Sequence, residues 1–306
     1  MKNRTAGDPD NEDITFTDVS PAELSDRLDA MGTPVSAQTI REWMDESDFR
    51  LRKIRKDLPG GTHPDRNAQF ENIAALIDQY ECRGDPWFSI DTKAKEHLGY
   101  LYRDGRVRCS SPFLAFDHDF PSWATGVVIP HGIYDAVHRR GHINLGISRD
   151  TSEFACDSLR WYWNRIGKQR YPDAKSILLT CDCGGSNSSR KYIFKYDLQR
   201  LADDIGIEIR IAHYPTYCSK YNPIERRFFP HVGRACAGML FDTLDTVVSL
   251  MRKASTRTGL TTTVNVINRV YEAGRKATDF MKQNLKIVFD KLLPNWNYRA
   301  LPSMRQ

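Results

Sequence analysis

The 306-residue chain contains no run of about 18 apolar residues, so nothing in it reads as a membrane-spanning helix. Its first residues, Met1-Lys2-Asn3-Arg4, lead into an acidic polar stretch through Asp13. That stretch has neither the apolar core of a secretory signal nor the amphipathic pattern of a transit peptide, and a cytoplasmic location is expected. Cysteine is sparse and irregular. The seven residues are odd in number and show no repeated Cys-x-x-Cys pair, so they read as free thiols rather than a disulfide framework. Cys181 and Cys183 stand one residue apart, which is poor spacing for a zinc knuckle. A zinc site joining them to His213 and Cys218 is the alternative use of these thiols. No internal repeat is visible.

What is present is the composition of an ordinary globular chain: 40% hydrophobic, 27% charged and 11% aromatic. The length suits a large core with a small appendage. The formal charge of +5 is compatible with a polyanionic partner but does not establish one. Its distribution says more. Arg50, Arg52, Lys53, Arg55 and Lys56 make one dense basic run, and Arg103, Arg106 and Arg108 another.

Residues 1–15 are polar, acidic and poor in apolar side chains, and are expected to be a disordered tail. Residues 16–56 read as a helix-turn-helix-like DNA-binding unit. Ser20-Pro21-Ala22-Glu23 is a capping box with proline at the first helical position, and Leu24, Leu28 and Met31 share one face of the helix it starts. Gly32 stops that helix, Thr33-Pro34-Val35 turns the chain, and Ser36 caps a second helix containing Ile40, Trp43 and Met44. This second helix would present Gln38, Thr39, Arg41 and Glu42 outward, with Arg52, Lys53, Arg55 and Lys56 of the basic run following directly as DNA contacts. A helical hairpin that only packs is the alternative. Residues 57–85 are a turn-rich linker and a connecting helix over Ala68–Tyr80.

From residue 86 to 306 the pattern becomes strands alternating with helices. Trp87–Asp91 is a short apolar run ending in a carboxylate, and Arg103-Asp104-Gly105-Arg106 suggests a hairpin turn. Residues 124–134 and 142–147 are further strand material, and 151–166 has helical periodicity. Ser176–Thr180 is a buried-type strand ending at Asp182, followed by a helix over 188–205, a strand over 208–212 and a helix from Asn222. Three hairpin-like strands and then α-β-α-β-α is the order of a ribonuclease H-like mixed sheet flanked by helices, an α/β class.

Asp91, Asp182 and Glu225 are the candidate chemistry in this frame. Two-metal phosphoryl transfer needs hard oxygen ligands holding two divalent cations roughly 3.5–4 Å apart, one serving the attacking oxygen and one the leaving oxygen. Asp91 and Asp182 each end an apolar strand, and Glu225 lies in the first turn of a helix after another strand. Each has a plainer use. The aspartates suit turns, and Asn222-Pro223-Ile224-Glu225 is a helix start with Asn at the cap and Pro at the first position.

The motifs around these residues resemble one family. They are Ser89-Ile90-Asp91-Thr92-Lys93-Ala94-Lys95-Glu96, His118-Asp119-Phe120-Pro121, Cys181-Asp182-Cys183-Gly184-Gly185-Ser186-Asn187 and His213-Tyr214-Pro215. Ser219 to Phe229, Trp296-Asn297-Tyr298 and the linker His63 to Phe70 complete the series. The chain is similar over about residues 20–302 to the ISAzo-thirteen group of insertion-sequence DDE transposases. The resemblance implies a Mg²⁺- or Mn²⁺-dependent enzyme, using two ions, that cuts the ends of an element and transfers the 3′-hydroxyl into target DNA. It implies that Asp91 bridges both ions, Asp182 completes one site and Glu225 the other. Lys93 and Lys95 would touch phosphate, or else stay in solvent. Asn187, Lys220, Asn222, Arg226 and Arg227 would position DNA. His118 and His213 are motif residues that a buried, hydrogen-bonded histidine explains equally well. Double-stranded DNA is the implied partner, and strand transfer on two ends implies a homodimer or higher oligomer. Members of the group carry additional helical material ahead of the segment seen here, so the alternative is a truncated element protein that binds DNA without transposing.

Overall fold

The computed structural model describes residues 5–8, 11–52 and 63–303. They belong to two units, Met1–Leu58 and Pro59–Gln306. In the first, β1 (Thr5–Asp8) and β2 (Asn11–Thr17) pair antiparallel, with Ala6 opposite Phe16. The described part of the expected disordered tail is therefore a ladder. The acidic composition had masked Ile14-Thr15-Phe16-Thr17, a run of strand-favouring residues.

The helical pair follows the capping signals. Ser20 Oγ accepts from the Glu23 amide (3.2 Å) to start α1 (Pro21–Ala30). Ser36 Oγ accepts from the Thr39 amide (3.1 Å) to start α2 (Ala37–Glu46). Between them the Ser25 hydroxyl donates to the Val35 carbonyl (2.6 Å), fixing the turn against α1. The apolar interior of this pair is small: Val19 and Ile40 are buried, whereas Met31, expected on the packed face, is exposed.

The larger unit begins with α3 (Arg66–Arg83), longer at both ends than expected and no mere connector. Ile73, Leu76 and Tyr80 pack on Trp87, Leu178, Ala212 and Tyr214, so α3 covers part of the sheet. The chain then runs through β3 (Trp87–Thr92), β4 (Glu96–Leu98), β5 (Gly126–Asp135) and β6 (Arg140–Gly146). Next come α4 (Ser152–Tyr162), which passes through a wide turn over Trp163–Gly167 into α5 (Lys168–Arg170), and then β7 (Ser176–Cys181), α6 (Tyr192–Ile205) and β8 (Glu208–His213). It ends with α7 (Pro223–Arg227), α8 (Phe229–Cys236), α9 (Leu244–Arg252), β9 (Thr261–Ile267), α10 (Asp279–Gln283), β10 (Ile287–Phe289) and β11 (Asn297–Ala300).

The nine-stranded sheet has the order β10-β11-β8-β7-β3-β5-β6-β9, with β4 paired to β5. β3, β7 and β8 are parallel, and β5 runs antiparallel between β3 and β6. A three-strand meander whose first strand is extended by two parallel crossover strands is the ribonuclease H-like arrangement, and the chain has that fold. The hairpin expected at Arg103–Arg106 is not formed. Residues 99–125 are an irregular insertion, and the Arg103 guanidinium lies 3.6 Å from the Phe241 ring centroid and pairs with Glu96 at 2.6 Å.

Apolar layers cover both faces. Phe88, Ile90, Ile133, Leu179 and Ile211 meet Leu159 of α4 and Phe194 and Leu198 of α6. On the other face Tyr134, Ile143 and Leu145 meet Ile224, Phe228, Val232 and Leu250 from α7 to α9. These close contacts demand glycine on the strands beneath. A Cβ at Gly132, the residue paired with Asp91, would sit 2.5 Å from the Phe229 ring and 2.8 Å from Ile224, and one at Gly141 would collide with Phe228. Gly132→Ala is therefore expected to destabilise the protein by about 1–3 kcal/mol through overpacking. Urea titration checks it, and an unchanged midpoint would show that α7 and α8 yield freely.

Candidate active site

Parity along the strands decides which side chains can meet. On β3, Phe88 and Ile90 enter the core beneath α4 and α6, while Trp87 faces α3. Ser89 and Asp91 share the parity of Trp87. On β7, Ile177, Leu179 and Cys181 enter the α4–α6 core and Leu178 faces α3, so parity sends Asp182 to the α3 face too. Ser89 pairs in register with Thr180, and each aspartate lies two residues farther on. Neighbouring strands run about 4.8 Å apart. Asp91 and Asp182 thus arrive side by side at one edge of the sheet.

Glu225 comes to that edge through a hydrogen-bonded clamp. Asn222 is fully buried, and its Oδ1 accepts from the Ser89 hydroxyl while its Nδ2 donates to the Ile90 carbonyl (3.0 Å). Ser89 Oγ in turn accepts from the Ile224 amide (2.9 Å). The first turn of α7 is therefore capped by a strand serine. The side chain of Asn222 makes no cap hydrogen bond, because its amide is committed to β3. That commitment also corrects the expectation that Asn222 contacts DNA. α7 is short because Pro230, in the first turn of α8, lacks an amide proton and its ring would clash with the carbonyl four residues back.

Glu225 lies close enough to Asp91 to help raise the Asp91 carboxyl. Burial, then the charge of Asp182 and that of Glu225, push Asp91 up to about 8, against the Thr92 amide that donates to its Oδ1 at 2.7 Å. Burial and the nearby Asp150 raise Asp182, partly offset by the Gly184 amide on its Oδ1 (3.1 Å). His213 is buried and pushed down to about 4 by that burial. As a neutral ring it donates from Nδ1 to the Asp182 carbonyl (2.9 Å) and accepts at Nε2 from the Tyr298 hydroxyl (3.0 Å). His213 is thus a positioning residue for Asp182. His118, by contrast, is exposed beside Asp117 and stacks on Phe120.

Asp150 was missed by sequence reasoning. It follows β6 in an ordinary-looking Ser-Arg-Asp turn, and only the fold brings it to Thr92, whose hydroxyl donates to its Oδ1 (3.3 Å), and to Ser186. Burial raises its carboxyl, with Lys95 acting in the opposite sense.

The expected DNA contacts divide. Lys95, Arg226 and Arg227 are exposed near the carboxylates, and Arg226 lies over the Tyr221 ring at 5.1 Å. Lys220 is half-buried over the same ring (5.5 Å). Lys93 is tied to Glu96. Asn187 is buried in the turn after Asp182, its amide donating to the Gly184 carbonyl (3.1 Å). In the N-terminal unit Gln38 and Arg41 are exposed and bonded to each other (3.0 Å), Thr39 is partly buried in the Ser36 cap, and Arg52 pairs with Asp48 (2.7 Å). Lys53, Arg55 and Lys56 lie outside the described residues.

Among the described residues, no three or more His, Cys, Asp or Glu side chains surround one point as a bound cation requires. Cys181 is buried with its thiol pushed well above the usual range, and Cys183 donates to the Tyr214 carbonyl (3.3 Å). The carboxylates differ in kind. The groups acting on Asp91 and Asp182 are neighbouring carboxylates and backbone amides. Hard oxygen donors of this kind fit Mg²⁺ or Mn²⁺.

A ribonuclease H-like sheet with aspartates ending adjacent parallel strands and a helical glutamate beside them defines the class of the DDE enzymes. The chain belongs to the family described as the Rhodopirellula transposase DDE domain, whose model matches residues 1–302, and this is the ISAzo-thirteen family that its motifs resemble. No curated protein matches it. Among solved structures it is similar to the Mos1 transposase paired-end complex with left transposon end, at 15% identity and TM-score 0.45, covering 75% of this chain and 64% of that one. The Mos1 mariner paired end complex with Mn gives 16% identity and TM-score 0.45 over 75% and 64% of the two chains. The Mos1 strand transfer complex gives 13% identity and TM-score 0.45 over 75% and 63%. The chain thus spans just under two thirds of the length of those Mos1 chains.

Two outcomes follow from the geometry. Asn222→Ala leaves Ser89 and the Ile90 carbonyl short of partners in a buried place, and a loss of about 2–4 kcal/mol is expected by urea unfolding; a loss under about 0.5 kcal/mol would mean that the clamp contributes nothing. The second concerns pH. A carboxyl whose folded pKa of about 8 exceeds its unfolded value of 3.8 costs nothing below pH 3.8, and the folded state loses stability as pH rises through that window. In EDTA, Asp91→Asn is expected to raise Tm at pH 8 and leave it unchanged near pH 4. Equal effects at both pH values would rule out the raised carboxyl.

Proposed function

We propose that the protein is a metal-dependent DNA transposase that cuts the ends of an insertion sequence and joins the freed 3′-hydroxyl to target DNA. The observation that carries this reading is the Ser89–Asn222–Ile224 clamp, which holds Glu225 against Asp91 where Asp182 also ends its strand. Asp91 stands between the other two and would ligate both of two divalent cations, with Asp182 serving one and Glu225 the other. Such ions, when bound, supply charge for the attacking and leaving oxygens of a phosphodiester. The raised Asp91 carboxyl must lose its proton before it can hold an ion, so ion binding would release protons from neutral solution. His213 and Tyr298 hold the Asp182 backbone, and the Gly184 amide holds its Oδ1, so one carboxylate oxygen is oriented before any ion arrives. Exposed Lys95, Arg226 and Arg227 flank the carboxylates and would take phosphates on either side of the bond being cut. Joining two ends calls for at least two copies of the chain on DNA.

The test uses the full chain, end-containing DNA and Mg²⁺. Asp91→Asn, Asp182→Asn and Glu225→Gln are each expected to lower strand transfer by at least about 100-fold, a loss of about 2.7 kcal/mol or more in transition-state stabilisation. Each should bind the same DNA as tightly as the parent in EDTA. Full strand transfer in any one variant removes that residue from the set.

A further inference from the structure

Lys195, in the first turns of α6, is 5% exposed. A buried ammonium is ordinarily matched by a carboxylate. Here Nζ donates to the Ser189 carbonyl and otherwise faces the rings of Tyr298 (4.8 Å), Tyr192 (5.4 Å) and Phe289 (5.9 Å). Burial draws it down to about 8, so it still carries its charge at neutral pH. It lines a cavity of about 420 Å³ with Arg190, His63, Ser189, Tyr192 and Trp296, and among the described residues no aspartate or glutamate contributes to the wall. α6 itself starts at this wall with no side chain capping it. His63 Nδ1 accepts from the Asp65 amide (3.2 Å), which leaves Nε2 to donate. A cation, a guanidinium, an imidazole with Asp65 behind it (3.7 Å) and an uncapped helix start therefore line one cavity.

The neighbouring cavity, of about 470 Å³, shares His63, Ser189, Arg190 and Trp296 with the first and contains Asp182. A strand leaving the carboxylates by this route passes Arg190 and reaches Lys195. We propose that the Lys195 cavity is a phosphate-binding subsite, which takes a backbone phosphate of the DNA strand adjoining the one presented to Asp91, Asp182 and Glu225. The assignment rests on the transposase reading, and it gives work to Trp296 and His63, two motif residues that the carboxylate site leaves unused.

The probe is a fluorescein-labelled single-stranded 12-mer of mixed sequence, bound to the full chain in EDTA and followed by anisotropy from 50 to 300 mM NaCl. Lys195→Met keeps the length and apolar stem of the side chain, and Arg190→Gln alters an exposed residue, so folding is not at stake in the second. The double variant is expected to bind about tenfold more weakly at 100 mM salt. Its plot of log affinity against log salt should be shallower by about 0.7, the value of one phosphate contact on a single strand. Asp182→Asn should leave that slope unchanged. Oligonucleotide binding that ignores both substitutions overturns the subsite, whatever the cutting activity. Binding that follows them in a protein that never cuts DNA with Mg²⁺ supports the anion site and sinks the transposase reading alone. If inorganic phosphate responds to the substitutions and the oligonucleotide does not, the assignment to a DNA strand is overturned.

Discussion

The site depends on one hydroxyl. Ser89 Oγ donates to Asn222 and accepts from the Ile224 amide, so a single strand residue both anchors the loop before α7 and caps the helix. Without that contact α7 would have only five residues and a proline break behind it, too little to hold a glutamate against a like charge. The apolar residues around it do the rest. Ile224 and Phe229 sit over Gly132, directly across the ladder from Asp91, so the strand that carries the first aspartate and the helix that carries the glutamate are locked in one layer.

What the clamp holds in place is unfavourable by itself. Asp91, Asp182 and Glu225 gather negative charge in a partly buried place, with Asp150 close behind. The cost is met by the surrounding fold: two apolar layers on a nine-stranded sheet, and a neutral His213 that spends both ring nitrogens on Asp182 and Tyr298. Three buried histidines, 131, 142 and 213, are all pushed below the usual imidazole range by desolvation. None of them neutralises the acidic edge.

The sequence showed the order of the elements because the signals there are local. Cap serines at 20 and 36, the apolar run before Asp91 and the buried-type run before Asp182 all gave elements where expected. It did not show the partners of Asn222, since Asn before Pro reads as a helix cap and only the tertiary contact with β3 redirects its amide. Asp150 was hidden for the same reason, lying in an unremarkable turn until β6 and β3 are paired through β5. The acidic tail misled in the other direction, because composition was weighed over the whole stretch while Ile14 to Thr17 already favoured a strand. Long-range pairing of β11 onto β8, and of β10 onto β11, likewise has no local signature beyond the Trp296-Asn297-Tyr298 motif.

Two kinds of unbalanced charge remain once the fold is complete, and they lie on either side of a shared wall. On one side stand the carboxylates; on the other Lys195, with Arg190 lining both cavities, has no acidic partner among the described residues. Were the purpose only stability, an ion pair between the two groups would have removed both deficits. Keeping them apart makes sense for a ligand that carries both complements at once: a phosphodiester chain brings its anionic backbone to the basic cavity and its divalent counterions to the acidic edge. On the proposed reading, that separation would favour an extended polyanion over a lone phosphate or a lone metal ion, because neither of those satisfies both halves.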